Sequence, residues 1–220
     1  MIKAIIFDFD GVLVESAHIK TEAFRRLFSH WGNKVHEVVE YHIQNAGISR
    51  YVKFKNIYEN ILHEPYTEEI GLKLGGKFSK IVLNEIKRAL FVKGAEEFLH
   101  KNYNRYLFFI ASGTPQDELN GIICFKGINK YFKNIFGAPA TKPEIINSIV
   151  KKNKLGKGEV VLIGDAESDK KAAESTEIHF ILRLNAENSH VLSHHTIKDL
   201  TELKEKIMEF DSVSTNISYV

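Results

Sequence analysis

Apolar side chains follow one rhythm up to about Gly94 and a different one after it. The run Ile2 to Phe9 is almost continuously apolar, the pattern of a buried parallel strand, and Gly11 supplies a tight turn at its carboxyl end. From Glu15 to Trp31 the spacing is that of an amphipathic helix with Ala17, Ala23, Phe24, Leu27 and Phe28 on the apolar face. Residues 34–46, 49–63 and 66–90 keep helical spacing and show no strand-like alternation. Beyond Gly94, strands alternate with helices. Strands are predicted at Tyr106 to Ala111, Ile135 to Gly137, Val160 to Ile163 and Phe180 to Leu182. Helices are predicted from about 115 to 124, from Pro143 to Lys152 and from Leu200 to Met208. The first of these opens on Thr114 as N-cap, Pro115 at the first helical position and Asp117 in the first turn. Ser212 to Val220 are expected to fray.

Alternating strands and helices predict an α/β fold built on a doubly wound parallel sheet covered on both faces. About 95 residues separate Asp10 from the next buried strand, whereas ordinary connections of this kind take about 2–6. The block 15–91 is therefore expected to be an inserted helical cap, with 1–14 and 92–220 forming the core.

Strand ends of such sheets are where ligands bind, and four of them carry complementary polar groups. Asp8 and Asp10 close the first strand. Ser112, Gly113 and Thr114 follow the second, just before a helix start. Lys142 precedes Pro143, and Asp165 and Asp169 follow the third long strand. Two carboxylates one residue apart at an apolar strand end are costly without a cation or a shared proton. One can serve as nucleophile and the other as general acid/base, with a divalent cation making the pair tolerable. The acids suit Mg²⁺, which prefers oxygen ligands, and Ser112 with the helix start suits phosphate oxygens. Lys142 offers a point charge, either to the phosphate or to the nucleophile carboxylate. Together these residue types predict phosphoryl transfer.

Composition narrows the partners. Among 220 residues, a net charge of +2 is too small to argue for nucleic acid or an anionic membrane surface. No apolar run reaches the roughly 18 residues of a transmembrane helix, and the N-terminal strand, broken by acids, is not a signal-peptide core. The single cysteine, Cys124, excludes an internal disulfide and points to a reducing compartment, the cytoplasm. Its apolar neighbours predict a buried, inert thiol. His194 and His195 are adjacent in a polar C-terminal stretch, where metal binding is the lesser expectation. A monomer and a homodimer stay equally open.

Asp8-x-Asp10-Gly11-Val12, Ile110-Ala111-Ser112-Gly113-Thr114, Lys142-Pro143 and Gly164-Asp165-x₃-Asp169 resemble the four motifs of the haloacid dehalogenase superfamily. The resemblance spans residues 1 to about 185 and implies a Rossmann-like core. The position of the helical insertion resembles the capped branch that includes phosphoglycolate phosphatases and β-phosphoglucomutases. It implies Asp8 as the nucleophile that becomes an aspartyl-phosphate, and Asp10 as the acid and then the base, its backbone carbonyl touching the metal. It implies Ser112, Gly113, Thr114 and Lys142 as phosphoryl-binding residues, Asp165 as an Mg²⁺ ligand, and Asp169 as a further ligand or a partner of one. Glu167 is a lesser candidate. The dehalogenases lack a carboxylate where Asp10 stands, so the resemblance favours phosphate esters.

Gly47-Ile48-Ser49-Arg50 resembles the substrate loop of capped relatives, which implies Arg50 as a ligand of an anionic group, against a solvated helix-start arginine. Lys20 can face the site from the first cap helix. Mutases carry histidine where Lys20 stands and lysine where Ala46 stands, so these departures weigh against that activity. The expectation is a Mg²⁺-dependent phosphomonoesterase acting on a small phosphorylated metabolite. A phosphosugar mutase and a catalytically idle binding module are the alternatives. The aromatics Phe24, Phe28, Trp31, Tyr41, Tyr51, Phe54 and Tyr58 either line a pocket or, as helical spacing suggests, form core.

Overall fold

The computed structural model describes residues 1–216. The first strand, β1 (Ala4–Phe7), is followed by α1 (Ala17–Leu27), α2 (Lys34–Gln44), α3 (Arg50–Asn56) and α4 (Glu68–Arg88) before the sheet resumes. A π-helical stretch, Ile57–Leu62, extends α3. Then come α5 (Ala95–Asn102), β2 (Leu107–Pro115), α6 (Gln116–Phe125), β3 (Asn134–Ala138), α7 (Lys142–Lys152), β4 (Val160–Gly164), α8 (Glu167–Thr176), β5 (His179–Arg183), β6 (Thr196–Ile197) and α9 (Leu203–Asn216).

The six strands form one parallel sheet in the order β3-β2-β1-β4-β5-β6. The central strand, β1, sets Phe7 beside Ile110 on one side and Ile163 on the other, so three strand ends lie at one level. Strand side chains alternate between two cores. Ile5, Phe7, Phe108, Ile110, Val161 and Ile163 pack with residues of α5, α6, α9 and the inserted helices. Ala4, Ile6, Phe109, Ala111, Val160 and Leu162 face Ile145, Ile146 and Ile149 of α7 and Ala172 and Ala173 of α8. Both faces are buried, which explains why the strands read as continuous apolar runs.

The inserted block leaves and rejoins the sheet at adjacent points. Val14 bridges Phe91, Val92 N–H donates to the Leu13 carbonyl at 3.0 Å, and Glu15 N–H to the Leu90 carbonyl at 2.9 Å. Within the block, Phe24, Phe28, Phe54 and Phe78 are fully buried and in mutual ring contact, with Trp31 and Tyr58 at the edge. Tyr51 stays exposed.

Several expectations need correction. Thr114 does not cap α6: β2 runs on through Pro115, the residue before the helix, and the Thr114 hydroxyl is used elsewhere. Cys124 is exposed, because α6 turns Ile122 and Ile123 inward and the next position outward. The closing helix begins at Leu203 rather than Leu200 and continues to Asn216, so most of the stretch expected to fray is helical; residues 217–220 lie outside the described residues. The helices α5 and α8 and the two-residue strand β6 were not predicted. Among the described residues no helix is long and apolar enough to cross a membrane.

Candidate active site

The carboxyl ends of β1, β2 and β4 bring Asp8, Ser112 and Asp165 together on the wall of one cavity, with Asp10 and Gly113. Lys142, at the start of α7, and Asp169, in the first turn of α8, sit behind Asp8 and Asp165. The Lys142 Nζ donates to Asp8 Oδ2 at 2.9 Å and to Asp169 Oδ1. All four of these charged groups are buried.

Gly11 makes the crowding possible. Its φ of +76° suits the turn, and a Cβ there would overlap the Asp165 carboxylate. Gly11→Ala is expected to cost about 1–3 kcal/mol from left-handed strain alone, and to displace Asp165 as well. Urea denaturation and a Mg²⁺ titration would check both, and unchanged metal affinity would contradict the account.

Asp8, Asp165 and Asp169 each offer an oxygen, and these atoms lie within 4.8 Å of one another. Three buried carboxylates facing one point, with one lysine between them, are an all-oxygen donor set of the kind a hard divalent cation takes. Burial, with Asp169 and Asp10 adding to it against the opposing charge of Lys142, pushes the Asp8 carboxyl up to about 6. Burial and then the Asp8 and Asp169 charges raise Asp165 well above the carboxylate range. Burial acts to lower the Lys142 pKa, but the Asp169 and Asp8 carboxylates outweigh it and hold the ammonium charged. The donor set therefore carries more negative charge than its single lysine answers.

Asp10 is built differently. Its carboxylate turns away from the three acids and accepts from Ser16 Oγ at 2.7 Å, Lys20 Nζ at 2.5 Å and Thr114 Oγ1 at 3.0 Å. Burial works against ionisation there, but Lys20 and these hydrogen bonds prevail and lower its pKa. The Asp10 carboxylate is thus not one of the three that lie within 4.8 Å of one another, and the resemblance implies only its backbone carbonyl at the metal. Lys20 reaches in from α1 and also donates to Thr114 Oγ1 at 2.8 Å.

Ser112 is buried, and its Oγ accepts from the Thr114 N–H at 3.2 Å. Gly113 lies under the inserted block: a Cβ there would come within 2.5 Å of the Gly47 carbonyl oxygen. Arg50 is neither solvated nor free. At 5 % exposure it donates to Glu118 Oε2 at 2.8 Å and Oε1 at 3.2 Å and to Ser79 Oγ at 2.9 Å, with its guanidinium 4.5 Å from the Phe78 ring centroid. Glu167 pairs outward with Lys171. Of the aromatics, Phe24 lines the cavity, as does Phe78.

Sequence reasoning missed the loop after β5. Asn185 Nδ2 donates to Asp165 Oδ2 at 2.8 Å, and Asn188 Nδ2 to the Asp165 carbonyl at 2.8 Å, so the two amides fix the orientation of that acid. Glu187 accepts from Thr21 Oγ1 at 2.8 Å and ties the loop to α1. The signal was the polar run Asn185-Ala186-Glu187-Asn188 at yet another strand end. His42 and Lys53, on α2 and α3, also line the cavity and were likewise not singled out.

Residues 5–183 match the family model for haloacid dehalogenase-like hydrolases, well over half of the chain. The chain belongs to this family. Among curated proteins it is similar to a phosphorylated carbohydrates phosphatase of Thermotoga maritima, 25% identical over 184 residues, covering 81% of this chain and 83% of that protein. Among solved structures it is similar to a β-phosphoglucomutase of Clostridium difficile, with a TM-score of 0.76 and 22% identity, covering 96% of this chain and 100% of the other. A predicted phosphoglycolate phosphatase of Haemophilus somnus superposes with a TM-score of 0.73 at 17% identity, over 93% and 97% of the two chains. At such identities the structural likenesses establish the haloacid dehalogenase-like fold, and the arrangement of side chains carries the rest.

Proposed function

We propose that this phosphatase of the haloacid dehalogenase-like family is a Mg²⁺-dependent phosphomonoesterase that hydrolyses a small phosphorylated metabolite through an aspartyl-phosphate. The observation that carries the proposal is the buried trio Asp8, Asp165 and Asp169 beside Lys142, within reach of Ser112 and Gly113 on one cavity wall. Asp8, Asp165 and Asp169 would hold Mg²⁺, which supplies charge neutralisation for phosphate oxygens and for the acids themselves.

Asp8 attacks phosphorus, and the bond from phosphorus to the alcohol oxygen breaks. Ser112 Oγ and the Gly113 N–H hold non-bridging oxygens while Lys142 draws the Asp8 carboxyl towards its ionised form. Asp10, ionised in the resting site, relays a proton from the Lys20 ammonium 2.5 Å away to the leaving alkoxide. Asp10, ionised again, then removes a proton from the water that attacks the phosphorus of the aspartyl-phosphate. Cleavage of the acyl-phosphate bond returns Asp8 and releases inorganic phosphate. The inserted helices act as a cap in this reading: Gly47 against Gly113, and Ser168 Oγ donating to the Ala46 carbonyl at 2.7 Å, close the cavity from water. The relative's action on phosphorylated carbohydrates supports a small phosphorylated substrate.

Phosphate release from sugar phosphates, phosphoglycolate and p-nitrophenyl phosphate tests the proposal. Activity is expected with Mg²⁺ and should fall at least about a hundredfold when EDTA removes the ion, since a metal's charge stabilisation is worth several kcal/mol. Full turnover in EDTA, or no turnover on any ester, rejects it.

A further inference from the structure

Among the described residues, Lys53 differs from the other buried cations around the cavity because no carboxylate forms an ion pair with it. Lys20 is paired with Asp10, Lys142 with Asp8 and Asp169, Arg50 with Glu118, and Arg183 with Glu15. Lys53 lies one turn beyond Arg50 on α3, is 3 % exposed and lines the cavity. Its hydrogen-bond partners both belong to His42 of α2: the ring Nδ1 at 3.1 Å and the backbone carbonyl oxygen at 3.3 Å. His42 in turn stacks on Phe24, ring centroids 4.1 Å apart, and the Lys53 ammonium sits 5.6 Å from that same ring.

A buried ammonium with only neutral partners is costly, and such groups are usually completed by an anion. Burial, then the repulsion of Lys20, pulls the Lys53 pKa down to about 7, with Asp165 opposing, Lys142 adding to the fall and Asp10 again opposing it. An anion bound beside it would restore the charge. Arg50, the residue that sequence resemblance offered for this task, has its fork already filled by Glu118 and Ser79. The cavity is small, about 70 Å³, room for roughly five waters. Beyond a phosphoryl group it admits a short leaving group, whose far end falls on the cap side.

We propose that Lys53, supported by His42, forms a subsite for a second anionic group, a carboxylate or a phosphate, carried by the short leaving alcohol of the substrate. The inference rests on the phosphomonoesterase reading and names the substrate class for it. His42 is a positioning residue here: its ring nitrogen and carbonyl aim the ammonium, and its stacking on Phe24 fixes the ring.

Matched esters test the subsite. 2-Phosphoglycolate and 2-hydroxyethyl phosphate differ by a carboxylate against a neutral hydroxymethyl group. Propane-1,3-diol bisphosphate and 3-hydroxypropyl phosphate differ by a second phosphate. Calorimetric titration of the Asp8→Asn chain with Mg²⁺ measures binding without turnover, and phosphate release by the unsubstituted protein measures activity separately. The anionic member of at least one pair should bind tenfold or more tightly, and the pair that shows it identifies the group. Lys53→Met, or Lys53→Gln if the first does not fold, should bring that ratio to about one. Equal affinities within both pairs, or a preference that survives loss of the lysine, overturn the subsite. Binding discrimination without phosphate release from any ester would leave the subsite standing and reject the phosphatase reading instead.

Discussion

Asp8→Asn should lower phosphate release at saturating Mg²⁺ by on the order of 10⁴-fold or more, the scale of losing a covalent nucleophile. The amide keeps the shape of the acid and can still accept from the Phe9 N–H, a bond of 2.6 Å in the parent. It cannot form the acyl phosphate. The folded state should not suffer. Asp8 ionises near 6 in the fold against about 3.8 when exposed, so its charged form opposes folding. Stability linked to it is present at low pH and is lost as pH rises through that window. Without metal at pH 7.5, the variant should therefore be at least as resistant to urea as the parent. Residual turnover above about one per cent of the parent rate would remove Asp8 from the nucleophile's place.

Lys142→Met should do the opposite to stability. It leaves Asp8, Asp165 and Asp169 buried with no cation, and breaking a buried pair from one side costs about 3–5 kcal/mol. The carboxyl pKa values of Asp8 and Asp165 are already raised in the fold and would rise further. Their protonation relieves the repulsion, so the deficit should be largest at pH 7.5 and shrink towards pH 5. Mg²⁺ should recover part of it at pH 7.5 by mass action on the folded state. Denaturant titrations at the two pH values, with and without Mg²⁺, read all three effects. A penalty that does not change with pH would mean that Lys142 acts by packing rather than by charge.

What could be read from the sequence divides along physical lines. Asp8, Asp10, Ser112, Lys142, Asp165 and Asp169 were legible because each sits at the end of a continuous apolar run or at a helix start, and parallel sheets bring such ends together. Local signals do not encode partners across the fold. Arg50 meets Glu118, 68 positions away, and that pairing decides what Arg50 is free to do. His42 and Lys53 lie in helices whose spacing reads as core and surface, and only the packing of α2 against α1 turns His42 towards Phe24. Cys124 was misplaced because Ile122, Ile123 and Phe125 make the stretch look uniformly apolar, whereas helix phase exposes the last two of its four residues. Thr114 had every local mark of a helix cap, yet Lys20 and Asp10 claim its hydroxyl.

The meeting of the insert's two ends has a consequence for inheritance. Glu15 and Leu90 are hydrogen-bonded neighbours, as are Leu13 and Val92, so the sheet sees a gap no wider than a hairpin, whatever is threaded through it. Lengthening, trimming or replacing what lies between changes loop-closure entropy only logarithmically. The stretch beyond α1 can thus change in length or content while Ser16 and Lys20, which hold the Asp10 carboxylate, stay where the sheet needs them.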